Sequence, residues 1–188
     1  MHSTYIGMGG NLPSWAGTPE ATLAAAAARL ESLGRVTRRS SLYSTEPVGF
    51  AEQPSFVNAV VSLETELEPE ALLLGLLAIE LEFGRDRAAG IVNGPRTLDL
   101  DILLFDDRTT SEPGLVIPHP RLGERAFVLI PLNEIAPRII ASGSAITVSQ
   151  LLDRLHRNAG KETDAVVPIQ SEGWRAGACD DSASIGHA

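Results

Sequence analysis

Thr97-Leu98-Asp99-Leu100-Asp101-Ile102-Leu103-Leu104-Phe105 is the stretch on which the reading of this 188-residue chain turns. Extended backbone throws successive side chains to opposite faces. Leu98, Leu100, Ile102 and Leu104 therefore share one side, and Thr97, Asp99, Asp101 and Leu103 the other. The stretch predicts a strand with an apolar face and, on its reverse, two carboxylates whose Cα atoms lie about 6.6 Å apart, two rises of roughly 3.3 Å. Like charges so placed either look out from a solvated sheet face or converge on a hard cation. Mg²⁺ suits such a pair, because it takes one or two carboxylates together with waters and phosphate oxygens.

Working outward, residues 85–96 are polar and contain glycine, and read as a mobile loop. Before them a helix is expected over residues 69–83, opened by Pro69 and closed by Gly84, with Leu72, Leu73, Leu76, Ile79 and Leu81 supplying apolar area. Residues 36–44 and 56–67 carry strand patterns, joined by a surface loop over residues 46–54 that holds two prolines. The chain opens with a short strand from Tyr5 running into a glycine-rich turn at Gly9-Gly10-Asn11. A first helix follows, capped by Thr18, with Pro19 at its first position, an apolar stripe of Leu23, Ala26, Ala27, Leu30 and Leu33, and Gly34 at its exit. Downstream, helices are expected around residues 124–132, despite Pro131, and over residues 148–157, where Thr147-Val148-Ser149-Gln150 matches a capping box. The order β, α, β, β, α, β with helical additions predicts an α+β fold: a ferredoxin-like sandwich, helices packed on one face of a mainly antiparallel sheet, with an extra C-terminal helix. Residues 1–164 form the domain, and residues 165–188 a loosely ordered tail.

At 44% hydrophobic and 21% charged, the composition is that of a globular chain. No apolar run approaches the roughly 20 residues needed to cross a bilayer, so no membrane partner is expected. The single Cys179 excludes an internal disulfide and fits a reducing cytoplasm. A net charge of -9 disfavours a broad nucleic-acid footprint but leaves room for a local phosphate site. Nothing signals an obligate apolar interface, and a monomer is expected.

Such a local site is present in the pattern. Arg85, Arg87 and Arg96 precede the aspartates, and His119, Arg121 and Arg125 follow them. In an acidic chain this concentration of cations beside a carboxylate pair looks like a polyphosphate site, with guanidiniums on the oxygens that a metal leaves free. The alternative is a set of surface arginines in weak ion pairs, which Arg121 fits more than the others. His119, between Pro118 and Pro120, is either a phosphate donor or acid/base group, or a structural loop residue.

Gly94-Pro95-Arg96-Thr97-Leu98-Asp99-Leu100-Asp101, with Pro118-His119-Pro120-Arg121 and residues 125–132, closely resembles the 6-hydroxymethyl-7,8-dihydropterin pyrophosphokinases of folate biosynthesis. The likeness runs from about Thr4 to His156 and includes Gly10-Asn11-Leu12, Pro47-Val48-Gly49 and residues 53–59. It implies transfer of pyrophosphate from the co-substrate ATP to the pterin hydroxymethyl oxygen, with release of AMP. By the resemblance, Asp99 and Asp101 hold two Mg²⁺ ions and act in catalysis with Arg85 and Arg96. Arg85, Arg87, Arg96, Ile102, His119 and Arg125 bind ATP, and Thr45, Pro47, Val48, Gly49, Phe56, Asn58 and Phe127 bind the pterin. Phe56 and Phe127 would sandwich the ring, although either alone also reads as core packing. Loops 47–54 and 85–94 would act as lids. Many relatives carry tryptophan where this chain has Asn93, the loop before it is one residue longer, and the position of Phe56 is often tyrosine. Two other classes share part of the pattern: a non-catalytic ferredoxin-like module that senses a small ligand, and a different Mg²⁺-dependent phosphotransferase or nucleotidyltransferase.

Overall fold

A computed structural model of the chain describes residues 1–47, 52–85, 87, 94–141, 143–159 and 166–178. Strand β1 (His2–Gly10) leads to helix α1 (Pro19–Leu30), then β2 (Arg35–Arg39), β3 (Leu42–Thr45), β4 (Phe56–Thr65), α2 (Pro69–Glu82) and β5 (Asp99–Phe105). A small ribbon of β6 (Thr110–Glu112) and β7 (Leu115–Ile117) follows, then α3 (Ala126–Ile135), α4 (Val148–Ala159), β8 (Val166–Ile169) and β9 (Gly177–Ala178). The main sheet runs β5-β1-β4-β2-β9, with β3 beside the other half of β4 and β8 beside β3; every pairing is antiparallel.

Local signals set most of these ends. Thr18 accepts the Ala21 N–H, and Pro19 occupies the first turn of α1, where its missing N–H costs nothing. Thr147 and Gln150 cap α4 reciprocally: each side chain accepts the other's backbone N–H, at 3.3 and 2.9 Å. The strand expected over residues 36–44 breaks into β2 and β3, because Ser40 turns its hydroxyl to accept the Val60 N–H at 3.0 Å.

Helices cover both faces of the sheet, not one. Ile6, Met8, Leu100 and Ile102 pack with Leu23 and Leu30 of α1 and Leu72 and Leu76 of α2. Val60, Leu103 and Leu104 pack on the reverse with Leu129 and Leu132 of α3 and Val148 of α4. The reverse face carries apolar side chains too, and their burial requires the second layer.

Leu104 is a correction to the two-residue period. Tyr5 pairs with Leu104 while Ile6 pairs with Ile102, so one extra residue is inserted in β5. That bulge turns Leu104 to the face of Leu103 and delivers Phe105 to the α1/α2 core. Leu81 is another correction. It is 72% exposed, and Glu80 takes the buried place at 1%, because Leu72, Leu76, Ile79 and Glu80 follow the helical period that Leu81 leaves.

Residues 166–178 also depart from the expectation of a loose tail. Val166–Ile169 pairs with β3 and Gly177–Ala178 with β2, and Trp174 between them is 8% exposed and donates its Nε1–H to the Ser40 carbonyl at 2.8 Å. An unpaired sheet edge offers free N–H and C=O groups, and these short strands satisfy them. The rest of the predicted tail lies outside the described residues. Among the described residues no helix is long and apolar enough to cross a membrane.

Candidate active site

The cleft opens where α3 leaves the sheet uncovered, at the ends of β1, β4 and β5. Its lining includes Gly7, Gly9, Asn58, Arg96, Asp99, Asp101, Arg125 and Phe127. In register Gly7 pairs with Asp101 and Gly9 with Asp99, so the floor beside each carboxylate carries no side chain. Gly9 and Gly10, read from the sequence as a turn, lie inside β1, and what they supply is close approach. A Cβ on Gly9 would meet Asn58 Oδ1 at 2.8 Å, and one on Gly10 would collide with the Thr97 carbonyl.

Asp99 gathers the cations. Arg96 Nε lies 3.1 Å from Asp99 Oδ2, and Arg85 and Arg87 reach Oδ1 at 3.8 and 3.9 Å. The buried Arg85 Nε has no hydrogen-bond partner among the described residues, and Arg96 Nε meets only the Asp99 carboxylate. Asp101 accepts no hydrogen bond and has no ion pair among the described residues. Burial and, next, the charge of Asp99 push its carboxyl above the usual range, against the pull of His119 and Arg125. Burial lowers His119 and also Arg125, the latter with help from Arg121. The His119 N–H donates to the Leu103 carbonyl at 2.9 Å, and its Nδ1 accepts the Arg121 N–H at 3.1 Å. Arg121 itself is exposed and pairs with Glu124 at 3.4 Å.

The remaining predicted residues fall in different places. Asn58 Nδ2 donates to Thr45 Oγ1 at 2.8 Å, which joins β4 to β3 at the cleft. Phe127 lines the opening, with Arg125 over its ring at 5.5 Å. Phe56 is buried, and the Arg96 guanidinium covers its face at 4.7 Å. Ile102 points into the α1/α2 core and is not brought to the cleft. Pro47 is half-buried; Val48, Gly49 and Asn93 lie outside the described residues, as do half of loop 47–54 and most of loop 85–94.

Two residues of the site were not singled out from the sequence. Asn11, read as part of a plain turn, is buried: it accepts the Arg96 N–H at 2.8 Å and donates to Gln53 Oε1 and the Pro54 carbonyl at 3.0 and 2.9 Å. Glu80 accepts the Leu100 N–H at 2.7 Å and the Arg87 guanidinium at 2.6–2.9 Å. Burial pushes its carboxyl up, and the bonds to Leu100 and Arg87 oppose that shift. A glutamate breaking into the apolar stripe of α2 is the one signal that could have found it.

Fold and cleft together define a mixed α/β protein on an antiparallel sheet, with a carboxylate pair beneath a ring of cations. Residues 5–137 match the model of the 7,8-dihydro-6-hydroxymethylpterin-pyrophosphokinase (HPPK) family, and the chain belongs to that family. The 2-amino-4-hydroxy-6-hydroxymethyldihydropteridine pyrophosphokinase of Methylorubrum extorquens is 41% identical over 157 residues, 82% of this chain and 94% of that one. The protein of the same name from Pseudomonas aeruginosa is 46% identical over 135 residues, 71% and 80% of the two chains. Among solved structures, wild-type Plasmodium falciparum HPPK-DHPS with SDX-DHP superposes with a TM-score of 0.64 at 16% identity, over 90% of this chain and 47% of that one. At that identity the likeness concerns the fold, and this chain spans about half the length of that protein.

Proposed function

We infer that this chain transfers pyrophosphate from ATP to 6-hydroxymethyl-7,8-dihydropterin, giving AMP and the pterin diphosphate, a step of folate biosynthesis. The hydroxymethyl oxygen forms a bond to the β-phosphorus; the bond from that phosphorus to the α,β-bridging oxygen breaks, its electron pair leaves with AMP, and the hydroxyl proton is lost. Little covalent chemistry falls to the protein in such a step, and its work is positioning and charge stabilisation. The observation that carries this reading is the pair Asp99 and Asp101 on one cleft face, with Arg85, Arg87 and Arg96 gathered on Asp99.

The donor set fits Mg²⁺. Asp101 is a half-buried carboxylate without a direct partner among the described residues, and no group of three or more His, Cys, Asp or Glu side chains there could form a full protein cage. A cation held by Asp99 and Asp101 must share its coordination with water and phosphate oxygens, as Mg²⁺ does. Two such ions would neutralise triphosphate charge. Arg85, Arg87, Arg96, His119 and Arg125 bind the phosphates, while Thr45, Asn58, Phe127 and Phe56, with Pro47, Val48 and Gly49, recognise the pterin. The Arg96 guanidinium lies over one face of Phe56 and so links the pterin and phosphate sides of the site.

The order β5-β1-β4-β2, with α1 and α2 on one face, supports a ferredoxin-like core within residues 1–164. The test is a product assay with ATP, Mg²⁺ and 6-hydroxymethyl-7,8-dihydropterin that resolves AMP from ADP. AMP forming in step with pterin diphosphate, and lost in Asp99→Ala and Asp101→Ala, is the expected result. ADP or free pyrophosphate as product would reject the reading.

A further inference from the structure

We propose that Glu80 is a positioning residue for this site: a buried carboxylate on α2 that fixes β5 between the two aspartates and holds Arg87 beside the first of them. The proposal rests on the metal and phosphate roles inferred above. β5 ends the main sheet, with β1 as its only strand neighbour among the described residues, so part of its backbone faces away from any ladder. On that open edge the Leu100 N–H donates to Glu80 Oε1 at 2.7 Å. Leu100 is the residue between Asp99 and Asp101, and pinning its amide sets the pitch of the strand that carries both carboxylates.

The second contact acts on a cation. Arg87 Nε and Nη2 meet both Glu80 oxygens at 2.6–2.9 Å, while Nη2 lies 3.9 Å from Asp99 Oδ1. Glu80 thus holds the guanidinium beside Asp99, with the Arg87 side chain half-exposed. An apolar residue would pack α2 against β5 at lower cost, since an ionised carboxylate buried at 1% exposure is expensive unless fully bonded. Every contact that offsets that cost leads to the site.

Two substitutions separate the contacts. Glu80→Gln keeps an acceptor for Leu100 but presents no charge to Arg87, whereas Glu80→Met removes both at similar volume. Metal affinity is read by calorimetry with Mn²⁺ in the presence of α,β-methylene-ATP, and steady-state kinetics give the KM values. Glu80→Gln should raise the ATP KM about as much as Arg87→Gln, with no further rise in the double variant and little change in Mn²⁺ affinity. Glu80→Met should also weaken Mn²⁺ by about tenfold or more, the usual effect of losing a partner that orients a metal ligand. The pterin KM should stay at its wild-type value in both. Lower melting temperatures with unchanged Mn²⁺ affinity and ATP KM would overturn the proposal and leave Glu80 a packing residue. If Glu80→Met does not fold, Glu80→Gln and the double variant decide the outcome alone. Asp99→Ala separates the two levels: its loss of Mn²⁺ binding beside unchanged Glu80 variants rejects only the role of Glu80, whereas Mn²⁺ binding retained in Asp99→Ala rejects the metal reading as well.

Discussion

Asn11 Oδ1 accepts the backbone N–H of Arg96 at 2.8 Å, while the Asn11 and Leu12 N–H groups both donate to the Arg96 carbonyl at 2.9 and 3.0 Å. The residue that places a guanidinium on Asp99 is therefore clamped at its backbone by the end of β1. Asn11→Ala leaves the Arg96 N–H without that acceptor and should cost about 1–3 kcal/mol of stability, read as a lower urea midpoint at unchanged slope. Activity should fall more steeply than folding. An Asn11→Ala enzyme of wild-type kcat/KM would show that the clamp does not set the site.

Gly10 tests the close approach of the same segments. Any Cβ there collides with the Thr97 carbonyl, a backbone atom that cannot swing aside. Gly10→Ala should cost about 1–3 kcal/mol by overpacking. Displacing the strand that leads to Asp99 should also lower kcat/KM by about 10²-fold, the scale expected when a reacting group shifts by 1 Å. Normal kinetics would mean that the strand absorbs the shift.

Tyr43 ties β3 to α3 and gives a pH dependence. Its hydroxyl donates to Glu134 Oε2 at 2.9 Å; burial first, then that bond and the carboxylate charge, push the phenol up to about 12. A folded-state value above the unfolded one means that this contribution is whole below pH 10 and drains away as pH rises towards 12. Urea midpoints should fall over that window in the wild type and less in Tyr43→Phe. Equal slopes in the two proteins would refute the assignment.

Trp174 reports on residues 166–178. Trp15 is 68% exposed and Trp174 8%, so in Trp15→Phe the remaining fluorescence should resist acrylamide and shift to the red only on unfolding. Trp174→Phe, which loses the bond to Ser40, should cost about 0.5–1.5 kcal/mol. Trp174→Ala should cost about 3–5 kcal/mol. Facile quenching of Trp174 in the folded protein would place that segment away from the sheet.

Much of this protein follows from short-range pattern. The alternation through Leu98, Asp99, Leu100 and Asp101 places both carboxylates on one face, because strand geometry needs only neighbours. Thr18-Pro19 and Thr147 to Gln150 open their helices by bonds that close within one turn. The likeness of residues 94–104 and 118–132 to a family announced the chemistry, and the family match over residues 5–137 agrees.

What the sequence leaves open is every relationship whose partners lie far apart along the chain. The bulge opposite Tyr5 and Ile6 reverses Leu104, since pairing register is settled between strands and not within one. Asn11 reaches Arg96 across 85 positions and Glu80 reaches Leu100 across 20, and neither bond leaves a periodic trace. Trp174 joins Ser40 across 134 positions and brings residues 166–178 onto a sheet edge that composition could not reveal. Backbone and side-chain hydrogen bonds of this kind form only once hydrophobic burial has brought the segments together, so the tertiary structure alone decides which donors and acceptors meet at the site.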